Sequence, residues 1–181
     1  MKSTAIVICS GGIDSVTTAF YVKRKFNYKS IKILFFNYGQ KTLLEERRCA
    51  KHCALQLNAE FKEINIKELK KLSFSLINKA GKSNSKISLK DTKKESFQWY
   101  VPARNMVFIS YALAYAEFLF NKTKQKADIF LGFKSEGKEH YPDTTTEFVS
   151  AMNKVSSVGL SEKFNIKAPL IKKDKEDIIT L

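Results

Sequence analysis

A β-branched run at residues 4–9, Thr-Ala-Ile-Val-Ile-Cys, passes without a break into Ser10-Gly11-Gly12-Ile13-Asp14-Ser15. This junction constrains the fold more than any other feature of the chain. Adjacent glycines let the backbone turn tightly and approach an anion with no Cβ in the way. Val16, Ala19, Phe20 and Val22 then fall at helical spacing, so residues 14–25 read as a helix. Strand, glycine turn and helix N-terminus in that order gather backbone N–H groups, Ser10 and Ser15 around phosphate oxygens. A bare Ser-Gly-Gly is more often an ordinary turn with a Ser or Asp cap. The full six-residue string in this setting outweighs that reading.

Four more apolar runs alternate with helical stretches. Residues 31–36 are almost continuously apolar, as in a strand covered on both faces. Residues 42–58 place Leu43, Leu44, Ala50, Cys53, Ala54 and Leu57 on one helical face, with Glu45, Glu46, Arg47, Arg48 and Lys51 on the wet side. Residues 61–66 alternate and read as a third strand, and 68–78 as a short helix. Residues 81–95 are polar, Lys- and Ser-rich and without apolar periodicity, which predicts a mobile loop or lid. Pro102 ends extended chain ahead of an almost wholly apolar helix over 106–120, expected to be buried on most sides. Strands at 127–131 and 166–169 flank a helix marked by Phe148, Val149, Met152 and Val155. Asp174 is placed to cap a last helix.

This alternation predicts an α/β fold, a doubly wound parallel sheet of about five strands in one domain. Ligands of such sheets bind beyond the carboxyl ends of the strands, where the Ser10–Ser15 loop lies. The last helix has little to bury before residue 181, so the chain is expected to be truncated.

Lys and Arg total 32 against 18 acids, a formal net charge of +14. That excess favours polyanionic ligands, nucleotides and nucleic acid alike. Direct nucleic-acid contact stays open, because the cations do not cluster with aromatics along the sequence. No apolar run reaches the roughly 18 residues of a membrane span, and no signal peptide precedes the first strand, so a cytoplasmic location is expected. Three cysteines, Cys9, Cys49 and Cys53, are an odd number in a Lys-rich chain, which argues against a disulfide framework. His52 faces away from the Cys49–Cys53 pair, so these read as small buried hydrophobes and no metal ligand is assigned.

Four further motifs follow: Asn37-Tyr38-Gly39-Gln40, Tyr100-Val101-Pro102-Ala103-Arg104-Asn105, Tyr141-Pro142-Asp143, and Pro169-Leu170-Ile171 with Lys175. The first hexapeptide resembles the PP-loop signature Ser-Gly-Gly-x-Asp-Ser of ATP pyrophosphatases, whose fold is adenine nucleotide alpha hydrolase-like. In order and spacing the whole set resembles the 7-cyano-7-deazaguanine synthase family, QueC. The resemblance implies ATP with Mg²⁺, and ATP-dependent conversion of 7-carboxy-7-deazaguanine and ammonia to the nitrile preQ0, by way of an acyl-adenylate and an amide, in queuosine and archaeosine biosynthesis. It implies that Ser10, Gly11, Gly12, Ile13, Asp14, Ser15, Tyr38 and Gln40 hold ATP. Arg104 and Lys175 would neutralise developing charge, Asn105 would orient the substrate or Arg104, and Tyr141 and Asp143 would meet the heterocycle. Family members are often homodimers.

Departures from the family pattern are specific. Ala103 replaces a glycine, Thr144-Thr145 replaces Cys-Arg, and residues 137–140 differ from the usual approach to Tyr-Pro-Asp. Family members carry Zn²⁺ on four cysteines beyond the last Pro-Leu segment, and this sequence holds none of them. The Thr144-Thr145 change opens an alternative: a QueC-like enzyme adenylating a different carboxylate, in tRNA modification or an anti-phage system. A PP-loop tRNA thiolase fits poorly with cysteines in a strand and on a helix, and a nucleotide-binding subunit without turnover is the non-enzymatic alternative.

Overall fold

The computed structural model describes residues 2–73, 100–134 and 141–181. Five parallel strands form one sheet in the order β3-β2-β1-β4-β5. They are β1 (Lys2–Ile8), β2 (Tyr28–Asn37), β3 (Glu60–Asn65), β4 (Ala127–Phe130) and β5 (Ile166–Lys167). The helices among the described residues are α1 (Ile13–Lys25), α2 (Leu43–Gln56), α3 (Arg104–Thr123), α4 (Thr146–Gly159) and α5 (Lys175–Ile179), with short 3₁₀ turns at Lys67–Leu72 and Pro142–Thr144. The expected helix over 68–78 is this first 3₁₀ turn as far as residue 72. Its remainder, the expected lid at 81–95 and residues 137–140 lie outside the described residues.

The near-continuous apolar run of β2 is explained by its two covers. Ile33 and Phe35 point toward α1 and α2, joining Ala5, Val7, Ala19, Val22 and Phe130 in one core. Leu34 and Phe36 point the other way, joining Ile6, Ile129, Ile109 and Leu113 beneath α3. Phe36 stacks on Phe108 of α3 with ring centroids 4.2 Å apart, a contact worth about 1 kcal/mol beyond burial alone. The doubly wound reading therefore holds, with the period-two alternation of each strand feeding two separate cores.

Chain direction fixes where a ligand can enter. From central β1 the chain moves outward to β2 and β3, then crosses back to β4 and β5 on the other side. The crevice between the diverging connections of β1 and β4 opens at their carboxyl ends. The β1–β4 pairing, from Thr4 opposite Ala127 to Val7 opposite Phe130, brings the Ser10–Ser15 loop beside residues 131–134.

Two sequence expectations need correction. Helix α3 buries Ile109, Ala112, Leu113 and Ala116 on one face but exposes Met106, Tyr111 and Phe118, so it is a one-sided helix rather than a buried one. Cys49 is exposed, whereas Cys9 and Cys53 are buried. Both errors have one cause: hydrophobicity along a helix reports which residues can be buried, not how many neighbours the sheet provides. At the other end, Asp174 caps α5 as expected, in a capping box with Asp177. No described helix is long and apolar enough to cross a membrane.

Candidate active site

A cleft of about 580 Å³ opens at the carboxyl ends of β1, β2 and β4. Ser10 and Ser15 line it from the glycine loop, Tyr38 from the end of β2, Arg104 and Asn105 from α3, and Tyr141 from the far loop. Five of these six residues carry a hydroxyl or a positive charge, while Phe108, Ile109 and Leu131 supply an apolar wall.

The loop is held by close backbone packing. Gly11 has φ of +85°, and a Cβ there would stand 2.5 Å from the Glu46 carbonyl oxygen and 2.8 Å from Cys49 Cβ. Gly132, just past β4, is equally confined: its Cβ would lie 2.7 Å from Ser15 Cα. Ser15 Oγ donates to the Gly12 carbonyl at 2.9 Å and lies 3.3 Å from Ser10 Oγ, so both hydroxyls face one point. The first-turn N–H groups of α1, which helical geometry leaves without an intrahelical carbonyl, begin there. Gly11, Gly12, Ile13 and Asp14 shape this turn without lining the cleft, and the Ile13 side chain is exposed. Beneath the loop, buried Cys9 lies 3.6 Å from Ser15 Oγ. A hydrogen bond from Cys53, with others from Ser15 and Gly11, lowers the Cys9 thiol to about 7 against the effect of burial.

Tyr38 and Gln40 divide their tasks. Tyr38 lines the cleft, while Gln40 is buried behind it. Gln40 Nε2 donates to the Phe36 carbonyl at 3.0 Å and to Glu46 Oε2 at 2.9 Å, and its Oε1 accepts the Tyr38 N–H. Burial pushes the Tyr38 phenol up, with Arg104 opposing and Glu46 adding to the shift.

Arg104 begins α3 after Ala103, which has φ of +53°. Its Nη1 reaches Tyr38 Oη at 3.4 Å, and its Nε lies 3.4 Å from Asn105 Oδ1. Asn105 Nδ2 in turn donates to the Asp143 carbonyl at 3.2 Å. A second cavity of about 110 Å³ is lined by Tyr100, Arg104, Asn105, Tyr141, Asp143 and Thr144. Burial raises the Asp143 carboxyl above the ordinary range, partly offset by Arg104 and by hydrogen bonds from Asn105. Tyr100 and Tyr141 lie nearly parallel beside it, centroids 6.2 Å apart.

Lys175 is not brought to this cleft. It is the first residue of α5, exposed, on a helix that packs against α1. Conversely, Lys41, Thr42, Glu46, Phe108 and Lys134 line the cleft although no sequence motif marks them, and so does Thr144 of the substituted Thr144-Thr145 pair. One signal was available: Phe108 and Ile109 follow Arg104 and Asn105 by one helical turn and share their face. The two threonines also separate. Thr144 lines the cleft and donates to the Tyr141 carbonyl at 3.0 Å, whereas Thr145 caps α4 by accepting the Phe148 N–H.

The chain that builds this cleft matches a known family over residues 4–181: the family described as Queuosine biosynthesis protein QueC. The chain belongs to the QueC family. It is 36% identical over 180 residues to a 7-cyano-7-deazaguanine synthase of Methanococcus vannielii, covering 97% of this chain and 74% of that one. Similar QueC-family relatives of that name occur in Methanosphaera stadtmanae, at 35% identity with 99% and 78% covered, and in a Nitratiruptor species, at 35% with 98% and 77% covered. Among solved structures, the U34-tRNA thiolase NcsA from Methanococcus maripaludis with its 4Fe–4S cluster superposes with a TM-score of 0.53 at 14% identity. A 4-thiouridine synthetase–RNA complex with bound ATP gives 0.55 at 16%. This chain covers 55% of the first and 39% of the second, and what it shares with them is the PP-loop, adenine nucleotide alpha hydrolase-like fold.

Proposed function

We propose that this QueC-family chain converts 7-carboxy-7-deazaguanine to 7-cyano-7-deazaguanine with ammonia, cleaving ATP to AMP and pyrophosphate. The observation that carries this reading is the cleft itself: Arg104, Tyr38, Asn105 and Tyr141 line it together with Ser10 and Ser15. A carboxylate oxygen is a poor leaving group until it is esterified. In the first step it attacks the α-phosphorus, the bond to the bridging oxygen breaks, and pyrophosphate keeps the electron pair. Ammonia adds to the acyl carbon and loses a proton, and AMP departs to leave the amide. The amide oxygen then attacks the α-phosphorus of a second ATP, pyrophosphate leaves with the electron pair of the broken bond, and one N–H proton is lost. Departure of AMP and the last N–H proton leaves the nitrile.

Each residue has a task in that sequence. Ser10, Ser15 and the α1 N-terminus receive the phosphates. Arg104 supplies fixed positive charge where two anions meet, and its hold on Tyr38 and Asn105 means it need not reorganise as charge develops. Asn105, engaged with Arg104 and Asp143, acts as a positioning residue. Tyr141 offers a ring face to the planar heterocycle, and Asp143 an acceptor for its aminopyrimidine edge. Mg²⁺ would shield the triphosphate; Asp14, in the first turn of α1, is the loop's own carboxylate but does not line the cleft. The described residues hold no group of three or more His, Cys, Asp or Glu placed to hold a metal ion, so these residues do not fit zinc and no step is routed through it.

The test is AMP and pyrophosphate release from ATP with 7-carboxy-7-deazaguanine, ammonium and Mg²⁺, with mass spectrometry of the product. The nitrile with two AMP per turnover is expected. AMP release with other carboxylates but none with this one would instead move the reading to a QueC-like enzyme of different substrate, with Thr144 in the cleft as the first residue to vary.

A further inference from the structure

Three cations line the cleft among the described residues: Lys41, Arg104 and Lys134. Their surroundings differ. Arg104 is oriented toward Tyr38 and Asn105, at the end where Asp143 lies. Lys41 precedes Thr42, whose hydroxyl donates to the Glu46 carboxylate at 2.5 Å, so its lip of the cleft already carries a negative charge. Lys134 comes from the other side. It follows Gly132, whose bare Cα packs so tightly on the start of α1 that a Cβ would sit 2.9 Å from the Ser15 amide nitrogen. The strand end carrying Lys134 is thus clamped to the phosphate loop itself, two residues from the contact.

We propose that Lys134 is a catalytic residue that binds the terminal phosphates of ATP and neutralises pyrophosphate as it leaves. Lys175, the cation expected from the motif, lies outside the cleft, whereas Lys134 lines it together with Ser10 and Ser15. When the bond from the α-phosphorus to the bridging oxygen breaks, the electron pair passes to the β-phosphate. An ammonium at that oxygen then interacts more strongly than it did in bound ATP, which lowers the barrier rather than only tightening binding. A compact point charge on a flexible stem suits a leaving group that must also depart. This assignment rests on the ATP chemistry proposed above but not on the identity of the carboxylate.

The test uses the whole chain with Lys134→Ala and Lys134→Arg, titrated calorimetrically with ATP, pyrophosphate and AMP, alongside AMP release in turnover. Lys134→Ala should weaken ATP and pyrophosphate about tenfold, leave AMP within about twofold, and slow AMP release about 100-fold. Lys134→Arg should recover part of each loss. Equal weakening of AMP and ATP would mean that the loop had merely been disturbed, and unchanged pyrophosphate affinity would mean that Lys134 does not reach the leaving group. Either result overturns the proposal. If the wild-type chain binds these ligands but releases no AMP with 7-carboxy-7-deazaguanine, the proposed substrate falls while the binding comparison still decides Lys134.

Discussion

The carbonyl oxygen of Glu46 stands 2.5 Å from the point that a Cβ on Gly11 would occupy. Helix α2 is therefore part of the glycine loop's mould, packed against Gly11 while Gly132 packs against Ser15. The same residue reaches the other loop with its carboxylate, through Gln40 and Thr42. One turn of helix couples the two loops that frame the cleft.

Gly11→Ala should cost about 2–4 kcal/mol, the sum of a left-handed backbone made unfavourable and a backbone contact that cannot yield. Gly12→Ala is the comparison. There φ is −73° and the added Cβ would be 3.4 Å from Ser10 Oγ, an ordinary contact, so its cost should stay within about 0.5 kcal/mol. Urea unfolding of both variants measures the difference, and equal costs would refute the mould.

Ala103 carries the opposite opportunity. A non-glycine residue at φ +53° costs about 1–2 kcal/mol, and glycine returns part of that through its greater freedom when unfolded. Ala103→Gly should therefore raise stability by roughly 0.5–1 kcal/mol, read as a higher urea midpoint at unchanged slope.

Arg104→Ala should lower kcat/KM for AMP release by about 100-fold or more, and Arg104→Lys should restore little of it. A lysine cannot hold Tyr38 and Asn105 while keeping charge directed at the cleft. Tyr38→Phe removes one hydrogen bond and should cost only several-fold. Full turnover by Arg104→Ala would sink the role assigned to it.

Asp128 at the start of β4 gives a pH dependence. Burial alone would raise its carboxyl, but hydrogen bonds from Lys167, Tyr28 (2.5 Å) and Asn165 (2.9 Å) outweigh burial and hold it below the ordinary value of about 3.9. A carboxyl lowered by folding stabilises the protein above its unfolded pKa and loses that contribution as pH falls through the folded one. Asp128→Asn should thus cost about 1–2 kcal/mol at pH 7, with the gap to wild type closing below about pH 4. A gap independent of pH would show that the charge is not what these partners recognise.

How much of this was legible beforehand differs between fold and site. The strand at residues 4–9, its glycine turn and the helix after it are local, and the apolar run of β2 announced a strand covered on both sides. Arg104 and Asn105 were readable because their motif is contiguous. The resemblance implies that Gln40 contacts ATP, yet its side chain is buried, because only the packed turn shows that its amide is needed by the Phe36 carbonyl and Glu46.

The sequence by itself determined the alternation of strand and helix, the glycine turn between β1 and α1 and the family, all carried by residues adjacent in the chain. Tertiary structure alone decided which cations meet that turn. Spacing reports which face of an element is buried, but the order β3-β2-β1-β4-β5 decides which strand ends become neighbours. That order sets Gly132 against Ser15 across more than a hundred residues of chain, which brings Lys134 into the lining of the same cleft, and the packing of α5 on α1 leaves Lys175 in solvent.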